Sequence, residues 1–400
     1  MAFCVNRELD EFVNKLTTVK KMGFFFGAGS SMALGMPGIE YLTTEVIGRN
    51  ENPSEIRRLQ EQIIQENEKN PGSKITIEEI LNKIRIIREL TKDNANYSYA
   101  DISGELAKKL DISICNDIYD ILSGKEKEII KVKKKFIVPM KFFVWLNNLN
   151  LEKIKEIFTV NYDLIFEQAM ENLGVPYYDG FVGAHKPFFH QQSVEDMNER
   201  EALPHGWIRL WKMHGSLGWF WEIEDTQYRV VRLGAENKSE VNNELVIYPS
   251  KDKYQSSRKQ PFVSYFDRFK NHLSYEEGMF IVSGYSFGDE HINDVIYDSL
   301  RKNPRMYLMV FFYYDENLEH IQEKAILYPN MSIFAPTKAI IGGKLDIWEF
   351  DIKKLDENNY NSFVSDNKLL LGDFSKLVDF LVENSGRKRE ILSRVGGSDA

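Results

Sequence analysis

The sequence predicts an α/β fold in which a doubly wound, mostly parallel sheet carries an inserted helical subdomain. Two observations predict it. An apolar run at 22–27 ends in Gly27-Ala28-Gly29, which is typical of a buried strand, a tight turn and a helix start. Beyond residue 150, apolar runs of strand length alternate with stretches long enough for crossover helices. These runs lie at 154–160, 208–213, 244–248, 278–284, 305–314 and 331–335. Together they indicate a Rossmann-like sheet.

Size and composition narrow the classes of protein to consider. A chain of 400 residues favours one large α/β domain with an insertion, or two domains. The net charge of -9 argues against general affinity for nucleic acid or anionic membranes. Cys4 and Cys115 form no Cys-x-x-Cys pair, so neither a zinc site nor a disulfide framework is expected. We expect a cytoplasmic protein, because the sequence contains no membrane-length apolar segment and no signal sequence.

The first elements lead into the glycine turn. Residues 8–21 carry apolar side chains at helical spacing and predict a short amphipathic helix. The two glycines of the turn would let the backbone approach a pyrophosphate, and the free N–H groups of a helix start favour a phosphate. Ser30 or Ser31 is expected to cap the helix. That helix is brief, because Gly35-Met36-Pro37-Gly38 interrupts it.

Residues 51–149 are helical in pattern almost throughout. Asn52-Pro53-Ser54-Glu55 and Thr76-Ile77-Glu78-Glu79 both have the composition of helix starts. Two further helices are expected around 101–122 and 125–149, the last interrupted at Pro139. The segment is therefore interpreted as a helical module inserted between the first and second strands.

A basic run, Lys131-Val132-Lys133-Lys134-Lys135, lies within this module. Contact with nucleic acid or an acidic partner is one interpretation of it, and a solvated helix face is the favoured one. Direct binding of nucleic acid is accordingly not expected.

The predicted domain organisation follows from these patterns. The first part of the Rossmann-like domain covers 1–50, the helical subdomain 51–149, the remainder of the Rossmann-like domain 150–385, and a flexible tail 386–400. Two polar stretches, 185–205 and 222–243, are expected to be surface excursions, and a final helix is expected near 374–384.

Polar residues follow four of the apolar runs. We call these the four strand-end segments: 27–31, 159–163, 212–216 and 283–289. Taken singly, each has an ordinary structural interpretation, with Asn161 or Ser286 capping a helix and His214 satisfied in a core. Ligands of doubly wound sheets bind outside the carboxyl ends of the strands, so the joint pattern predicts one site.

The side chains of this site suit chemistry on a dinucleotide. Asn161 offers an amide that both donates and accepts, Asp163 a carboxylate, and His214 an imidazole that titrates near neutrality. Cleavage of the bond between nicotinamide and ribose in NAD requires a held ribose, a positioned attacking oxygen and a base for its proton. A histidine and an asparagine are sufficient for that reaction.

The order of these motifs resembles the sirtuin family of NAD-consuming enzymes. Gly27-Ala28-Gly29-Ser30-Ser31 with Gly35-Met36-Pro37 is similar to the family's Gly-Ala-Gly-x-Ser and Gly-Ile-Pro. Thr159-Val160-Asn161-Tyr162-Asp163 is similar to its Thr-Gln-Asn-Ile-Asp, His214-Gly215 to its His-Gly, and Gly284-Tyr285-Ser286 to its Gly-Thr-Ser. The resemblance implies a catalytic pair, Asn161 and His214. It also implies NAD-binding residues, which are Gly27, Ala28, Gly29, Ser30, Ser31, Pro37, Asp163, Gly284, Ser286 and Asp289.

The sequence departs from protein-deacylating sirtuins in three places. No zinc ribbon follows His214-Gly215, Val160 stands where the family has Gln, and the Phe-Arg after Gly-Ile-Pro is missing. These departures resemble the zinc-free, sirtuin-like domains of bacterial anti-phage defence systems, which hydrolyse NAD outright. With no second wall expected for an acyl-lysine channel, water becomes the acceptor, and no metal is expected.

The expected function is therefore that of an NAD glycohydrolase acting in defence by NAD depletion. The alternatives are an NAD-dependent protein deacylase or ADP-ribosyltransferase, and a non-catalytic module that senses NAD or ADP-ribose. Because such hydrolysis is toxic, we expect control by assembly, as a homo-oligomer, or by a partner, which the resemblance suggests is a HerA-type ATPase or another defence protein. No membrane partner is expected, and acceptance of NADP stays open.

Overall fold

The computed structural model describes residues 2–66, 74–151, 153, 155–195, 204, 206–224, 227–233, 245–247 and 260–396. Within these residues the central sheet has ten strands. In chain order they are β1 (Phe3–Cys4), β2 (Met22–Phe26), β5 (Lys155–Thr159), β6 (Tyr177–Tyr178), β9 (Ile208–Lys212), β13 (Gly278–Ser283), β14 (Met306–Phe311), β15 (Met331–Phe334), β16 (Lys338–Ile341) and β17 (Lys344–Glu349). The intervening labels belong to the smaller sheets described below.

The order across this sheet is β1-β17-β16-β15-β14-β13-β2-β5-β9-β6. From β15 to β6 every neighbouring pair is parallel. In this parallel part the chain runs from β2 to β5 and β9 on one side, with the short β6 added outside β9, and then returns to β13, β14 and β15 on the other. This is the doubly wound Rossmann order, and its switch point lies between β2 and β13. The predicted fold class is confirmed.

The strands at the far edge of the sheet were not predicted from the sequence. Strands β16 and β17 form an antiparallel hairpin beside β15, and β1 pairs in parallel with β17. In residues 344–349 the apolar side chains do not mark the buried face of the strand, because Trp348 is buried whereas Leu345 and Ile347 are exposed. Edge strands bury little of their surface, which weakens the hydrophobic signal that identifies strands in sequence.

Helices cover both faces of the parallel core. Their bounds are α1 (Val5–Thr18), α2 (Ala28–Leu34), α3 (Ile39–Arg49), α4 (Pro53–Glu66), α5 (Ile77–Thr91), α6 (Gly104–Lys131), α7 (Lys133–Asn148), α8 (Ile165–Leu173), α9 (Gln192–Glu195), α10 (Phe262–Ser274), α11 (Glu290–Lys302), α12 (Asp315–Ala325), α13 (Ile352–Glu357), α14 (Phe374–Glu383) and α15 (Lys388–Arg394). The first helix thus begins and ends three residues before the predicted 8–21.

The apolar residues of β2 explain the two layers. Phe24 packs edge-on against Phe142 of α7 on one face, with ring centroids 5.2 Å apart. Phe25 points to the opposite face and contacts Phe269 of α10 and Tyr285, at 5.5 and 4.8 Å. Successive strand side chains point to opposite faces, so an unbroken apolar run indicates a strand buried on both sides.

Inside the helical insertion, some helix boundaries agree with the prediction and others differ from it. Thr76 forms the expected capping box with Glu79, and α4 begins at Pro53 as predicted. The later break comes at Val132 rather than between 122 and 125, and Pro139 lies inside α7 without interrupting it. Burial of the apolar face of α7 compensates for the single backbone hydrogen bond that proline removes. A short hairpin of β3 (Ser98–Tyr99) and β4 (Ile102–Ser103) precedes α6.

A second sheet was also missed. Among the described residues it has five antiparallel strands, which are β7 (Phe181–Val182), β8 (Phe188–Phe189), β10 (Gly215–Glu224), β11 (Gln227–Arg232) and β12 (Leu245–Ile247). Their order across the sheet is β12-β10-β11-β8-β7. The expectation of surface excursions at 185–205 and 222–243 is therefore wrong where β8, α9, β10 and β11 lie. Strand β12, predicted for the main sheet, pairs with β10 instead.

The carboxyl-terminal residues contain one confirmed and one wrong prediction. The final helix predicted near 374–384 is α14, which packs against α7. A flexible tail was expected from residue 386, but 388–394 form α15 with Ile391 fully buried. Two adjacent apolar residues, Ile391 and Leu392, in a seven-residue helix give too weak a periodic signal to identify in sequence. A short hairpin, β18 (Val364–Ser365) and β19 (Lys368–Leu369), precedes α14.

Candidate functional site

The four strand-end segments follow β2, β5, β9 and β13, at the same edge of the sheet. Backbone hydrogen bonds join them. The N–H of Gly27 donates to Ser283 O over 3.0 Å, and that of Met213 to Thr159 O over 2.8 Å. Val160 N–H donates to Phe26 O at 3.2 Å. The segments surround the switch point of the sheet, where ligands of doubly wound folds bind.

The glycines allow two of these segments to pack backbone against backbone. A Cβ on Gly27 would lie 2.4 Å from Gly284 O, and one on Gly29 would lie 2.8 Å from Gly284 Cα. Gly29 N–H donates to Gly284 O over 2.8 Å, and Ser30 N–H to Gly27 O over 3.0 Å. In the structure these glycines make the contact between the first and fourth segments, and their predicted approach to a pyrophosphate stays a prediction.

The two serines also have a different role from the predicted one. Gly27 is the N-cap of α2 and makes no side-chain capping bond, so Ser30 and Ser31 lie inside the helix rather than at its cap. Ser30 Oγ donates to Gly27 O over 2.8 Å, and Ser31 Oγ to Asp163 Oδ2 over 2.7 Å. Their hydroxyls therefore connect α2 to the second strand-end segment.

Asn161 lies at the centre of this contact. Its amide Nδ2 is 3.1 Å from Gly27 O, 3.1 Å from Ser30 Oγ and 2.9 Å from Ser31 Oγ. Asn161 is 9% exposed and does not cap a helix. Asp163, just before the N-cap residue of α8, accepts from Ile165 N–H over 3.2 Å. Buried amide and carboxylate groups thus hold the first and second segments together.

His214 pairs with a carboxylate of the fourth segment. Its Nε2 lies 3.1 Å from Asp289 Oδ2, and both residues are 7% exposed. Asp289 is also the N-cap of α11, because its Oδ1 accepts from His291 N–H. Tyr285 OH donates to the Asp289 carbonyl and to Asn293 Oδ1. The imidazole is therefore held by a carboxylate that the His291 N–H fixes, in a residue whose backbone carbonyl accepts from Tyr285.

The remaining predicted residues lie at the rim of this arrangement. Ala28 is exposed at the first position of α2, and Ser286 is exposed between the buried Tyr285 and Phe287. Pro37 is half-buried beyond the left-handed Gly35 that ends α2. The buried polar members thus form two groups, Asn161 with Asp163 and the two serines, and His214 with Asp289, whereas these three are more exposed.

Three buried charged residues of the site were missed from the sequence. Lys212 Nζ donates to Glu167 Oε1 over 2.7 Å and to the Asp163 carbonyl. Glu126 of α6 accepts from Leu164 N–H over 2.8 Å and from the Gln168 amide. A charged residue ending an apolar strand, as Lys212 does, is a sequence signal for a buried partner. Glu126 has no such signal, because it is distant in sequence from the residues it contacts.

A small cavity lies behind Asn161. Its volume is about 10 Å³, which is about the space that one water molecule requires. Glu167 Oε2 is buried and has no hydrogen-bond partner among the described residues. The lining side chains are Ser31, Thr159, Asn161, Asp163, Phe166, Glu167 and Lys212. Polar groups on several sides make the cavity suitable for a bound water.

Burial raises the pKa of Glu126 to about 7 from its ordinary 4.5. Asp163 and Glu167 nearby raise this pKa further, whereas the Leu164 N–H and Lys212 lower it. Burial likewise raises the pKa of Glu167, and Lys212 opposes that shift. Of these two carboxyl groups, that of Glu126 therefore changes protonation near neutral pH.

A pH dependence of stability follows from Glu126. A folded-state pKa above the unfolded one means that the native protein retains the proton between pH 4.5 and 7. The native state therefore loses stability as pH rises through this window, by about 3 kcal/mol in all. Glu126→Gln lacks this titrating group. We therefore expect its free energy of unfolding to rise relative to that of wild type by about 3 kcal/mol between pH 4.5 and 8. Urea unfolding at several pH values measures it.

The matched control for this prediction is Glu128→Gln, because Glu128 is exposed on the same helix. Its difference from wild type should not change with pH over this range. A Glu126→Gln difference that is equally constant would contradict the assignment of a raised pKa to Glu126.

Comparison with known proteins gives one family match. Residues 155–331 match the SIR2-like domain. The SIR2-like segment includes Asn161, His214 and Ser286 but covers less than half of the chain and begins after the glycine turn. It supports an NAD-related function and an NAD-using enzyme class. A search among curated proteins finds no match.

Two solved sirtuin structures are similar to the chain. One is Sir2Tm bound to a propionylated peptide, with 10% identity, a TM-score of 0.35, and coverage of 76% of this chain and 86% of that chain. The other is described as the structural basis of sirtuin substrate affinity, with 10% identity, a TM-score of 0.34, and coverage of 75% and 86%. At these values the two structures do not bear on the activity of the SIR2-like segment.

Two further observations concern the described residues alone. They contain no group of three or more His, Cys, Asp or Glu side chains arranged to hold a metal ion. None of their helices is both long and apolar enough to cross a bilayer.

Proposed function

We propose that the chain is an NAD glycohydrolase, which converts NAD and water to nicotinamide and ADP-ribose. The observation that carries this proposal is the pairing of His214 with Asp289 at the sheet edge where Asn161 is held by Ser30 and Ser31. A buried histidine with a fixed carboxylate partner is typical of a general base. The SIR2-like match supports NAD as the substrate.

Asp289 determines which nitrogen of His214 acts as the base. A carboxylate beside Nε2 favours the tautomer with the proton on Nε2, so the lone pair lies on Nδ1. In the proposed reaction the bond between nicotinamide and the ribose C1′ breaks, and a water oxygen forms the new bond to C1′. The water proton passes to His214 and then to solvent. Asp289 stabilises the imidazolium that forms in between.

Asn161 would orient the sugar or the water. Its Nδ2 group is directed toward the serine hydroxyls of α2, which leaves the amide oxygen as the acceptor for a ribose hydroxyl or the attacking water. Because Ser31 also contacts Asp163, the amide is held in one orientation. A fixed acceptor contributes to rate by placing the reacting atoms before the reaction begins.

The residues at the glycine turn would hold the dinucleotide in different ways. Ala28, Pro37 and Ser286 face outward and would contact it directly, whereas Gly27, Gly29 and Gly284 would form the surface by packing together. Asp163 and the two serines lie beneath and support Asn161. These assignments are part of the proposal.

A deacylase or ADP-ribosyltransferase is the second candidate. It is favoured by the antiparallel sheet, because β10 begins at the residue after His214 and supplies a wall that the sequence interpretation did not expect. A protein side chain would then replace water as acceptor. Mass spectrometry of products formed with acylated peptides distinguishes the candidates. Free ADP-ribose supports hydrolysis, whereas acyl-ADP-ribose or a modified protein supports the alternative.

The proposal is tested by incubating purified protein with NAD and measuring nicotinamide by chromatography. We expect nicotinamide and ADP-ribose in equal amounts, and a loss of about 100-fold in kcat for Asn161→Ala because the reacting atoms are no longer oriented. Asn172→Ala, at an exposed asparagine of α8, is the matched control and should be unchanged. Absence of nicotinamide from wild type, alone and with a neighbouring gene product, would exclude the function.

We also propose that this activity serves anti-phage defence through NAD depletion. The resemblance in motif order supports this role, and with it control by homo-oligomerisation or by a HerA-type ATPase or another defence partner. Light scattering coupled to size exclusion, with and without the product of the adjacent gene, tests the control. A fully active monomer would contradict it.

A further inference from the structure

The helical insertion contacts the second strand-end segment through a buried carboxylate. Glu126, near the end of α6, is 3% exposed. Its Oε2 accepts from the backbone N–H of Leu164 over 2.8 Å, and its Oε1 accepts from the Gln168 side chain in α8. Leu164 is the N-cap residue of α8 and follows Asp163 directly. One side chain of the insertion therefore holds the end of the loop that carries Asn161.

The same loop has a second contact with the insertion. Tyr162 OH lies 3.5 Å from Glu78 Oε1, at the start of α5. Helices α5 and α6 are joined by buried ion pairs, because Arg85 and Arg88 both contact Asp111 of α6, at 3.1 and 2.7 Å. Glu78 and Glu126 thus belong to one connected pair of helices. Any movement of this pair relative to the sheet would be transmitted to residues 162–164.

The loop is held between the insertion and α2. On the α2 side, Asn161 and Asp163 contact Ser31. On the insertion side, Glu126 contacts Leu164, one residue further along the chain. The charged groups that face Glu126 are Asp163, Glu167 and Lys212. Removing Glu126 would leave the Leu164 N–H without its acceptor in a buried place, which favours a rearranged loop.

From this arrangement we propose that Glu126 is a positioning residue, through which the helical insertion sets the orientation of Asn161 in the candidate site. This inference rests on the proposed function for its catalytic consequence. The structural part of the inference, that Glu126 holds residues 160–164, is independent of the proposed function. A partner that bound the insertion would then alter the site without touching it.

The test combines a local structural readout with kinetics. In Glu126→Met the side chain keeps its length but loses both acceptors, whereas Glu126→Gln retains an acceptor for Leu164 N–H, and Gln168 can turn its amide to match. Hydrogen exchange of peptides covering residues 160–168 is measured without NAD in both variants and in Glu128→Met, the exposed control on the same helix.

We expect exchange in 160–168 to be about tenfold faster in Glu126→Met, and unchanged in Glu126→Gln and Glu128→Met. With NAD, Glu126→Met should lower kcat about tenfold with KM within about twofold of wild type, because orientation is lost rather than binding. Glu126→Gln should keep kcat near that of wild type, because it retains an acceptor for the Leu164 N–H. If Glu126 only stabilised the whole fold, exchange would not be faster in 160–168 alone, and kcat would not fall while KM stayed the same.

Each outcome decides the proposal. Equal exchange in 160–168 for Glu126→Met and Glu128→Met would overturn it, whatever the NAD result. Faster local exchange in a protein whose wild type releases no nicotinamide would uphold positioning and reject the proposed function. If Glu126→Met fails to fold, Gln168→Leu, which removes the side-chain partner of Glu126 in α8, is measured instead: faster exchange in 160–168 than in the exposed control Asn172→Leu upholds the proposal, and equal exchange overturns it.

Discussion

Replacing His214 by alanine is expected to lower kcat for NAD cleavage by about 1000-fold, within the range of 10² to 10⁴ that a general base contributes. The physical reason is that the attacking water then has no acceptor for its proton. NAD affinity should stay within about threefold of wild type, because the imidazole acts on the water rather than on the dinucleotide. Nicotinamide release measures the first quantity, and isothermal calorimetry the second.

Two variants accompany this experiment. His320→Ala removes an exposed histidine of α12 and should leave kcat unchanged. Asp289→Asn keeps a hydrogen-bonding group beside Nε2 but removes the charge that stabilises the imidazolium, so we expect an intermediate loss. If His214→Ala bound NAD normally and turned it over as fast as wild type, His214 would be excluded as the general base. Normal binding with no turnover in wild type would favour the sensing module.

Replacing Gly284 by alanine is expected to lower the free energy of unfolding by about 2 to 5 kcal/mol, combining left-handed strain with overpacking. Gly284 has φ +69°, and a Cβ there would lie 2.2 Å from the backbone nitrogen of Ser30. The three nearest atoms belong to the backbones of Ser30, Gly29 and Gly27, so none of them can turn away as a flexible side chain would. The contact between the first and fourth segments must open. Urea unfolding measures the loss.

Gly174→Ala separates the two causes. Gly174 has a similar φ of +63° at the end of α8, but a Cβ there would have no heavy atom within 4 Å. This variant should lose only the strain, about 1 to 2 kcal/mol. Equal losses in the two variants would show that close packing at Gly284 contributes nothing, and would contradict the role assigned here to the glycines.

The strands of the parallel core were predictable from the sequence because they are buried on both faces. Continuous apolar runs identified β2, β5, β9, β13, β14 and β15 to within a few residues. In the second sheet only β12 was identified, and it was assigned to the wrong sheet; β16, β17 and β1 at the far edge were not identified. Ile347 is exposed beside the buried Trp348, and side chains of this kind do not form a clear run or a clear alternation.

Helix boundaries were less predictable for a related reason. Gly124 and Pro139 lie inside α6 and α7, although both residues are unfavourable there. Tertiary packing outweighs their intrinsic cost, because the buried faces of these helices stabilise them by more. The break at Val132 has no comparable signal in the sequence.

The parallel core and the polar residues at the ends of its strands could be predicted, because apolar runs and the polar residues after them are local patterns. How those residues meet could be learned only from the folded chain, in which Asn161 contacts Ser30 and Ser31 and His214 pairs with Asp289. Folding also brings Glu126 to Leu164. Such contacts depend on chain segments far apart in sequence, and their geometry exists only once the helices have packed on the sheet.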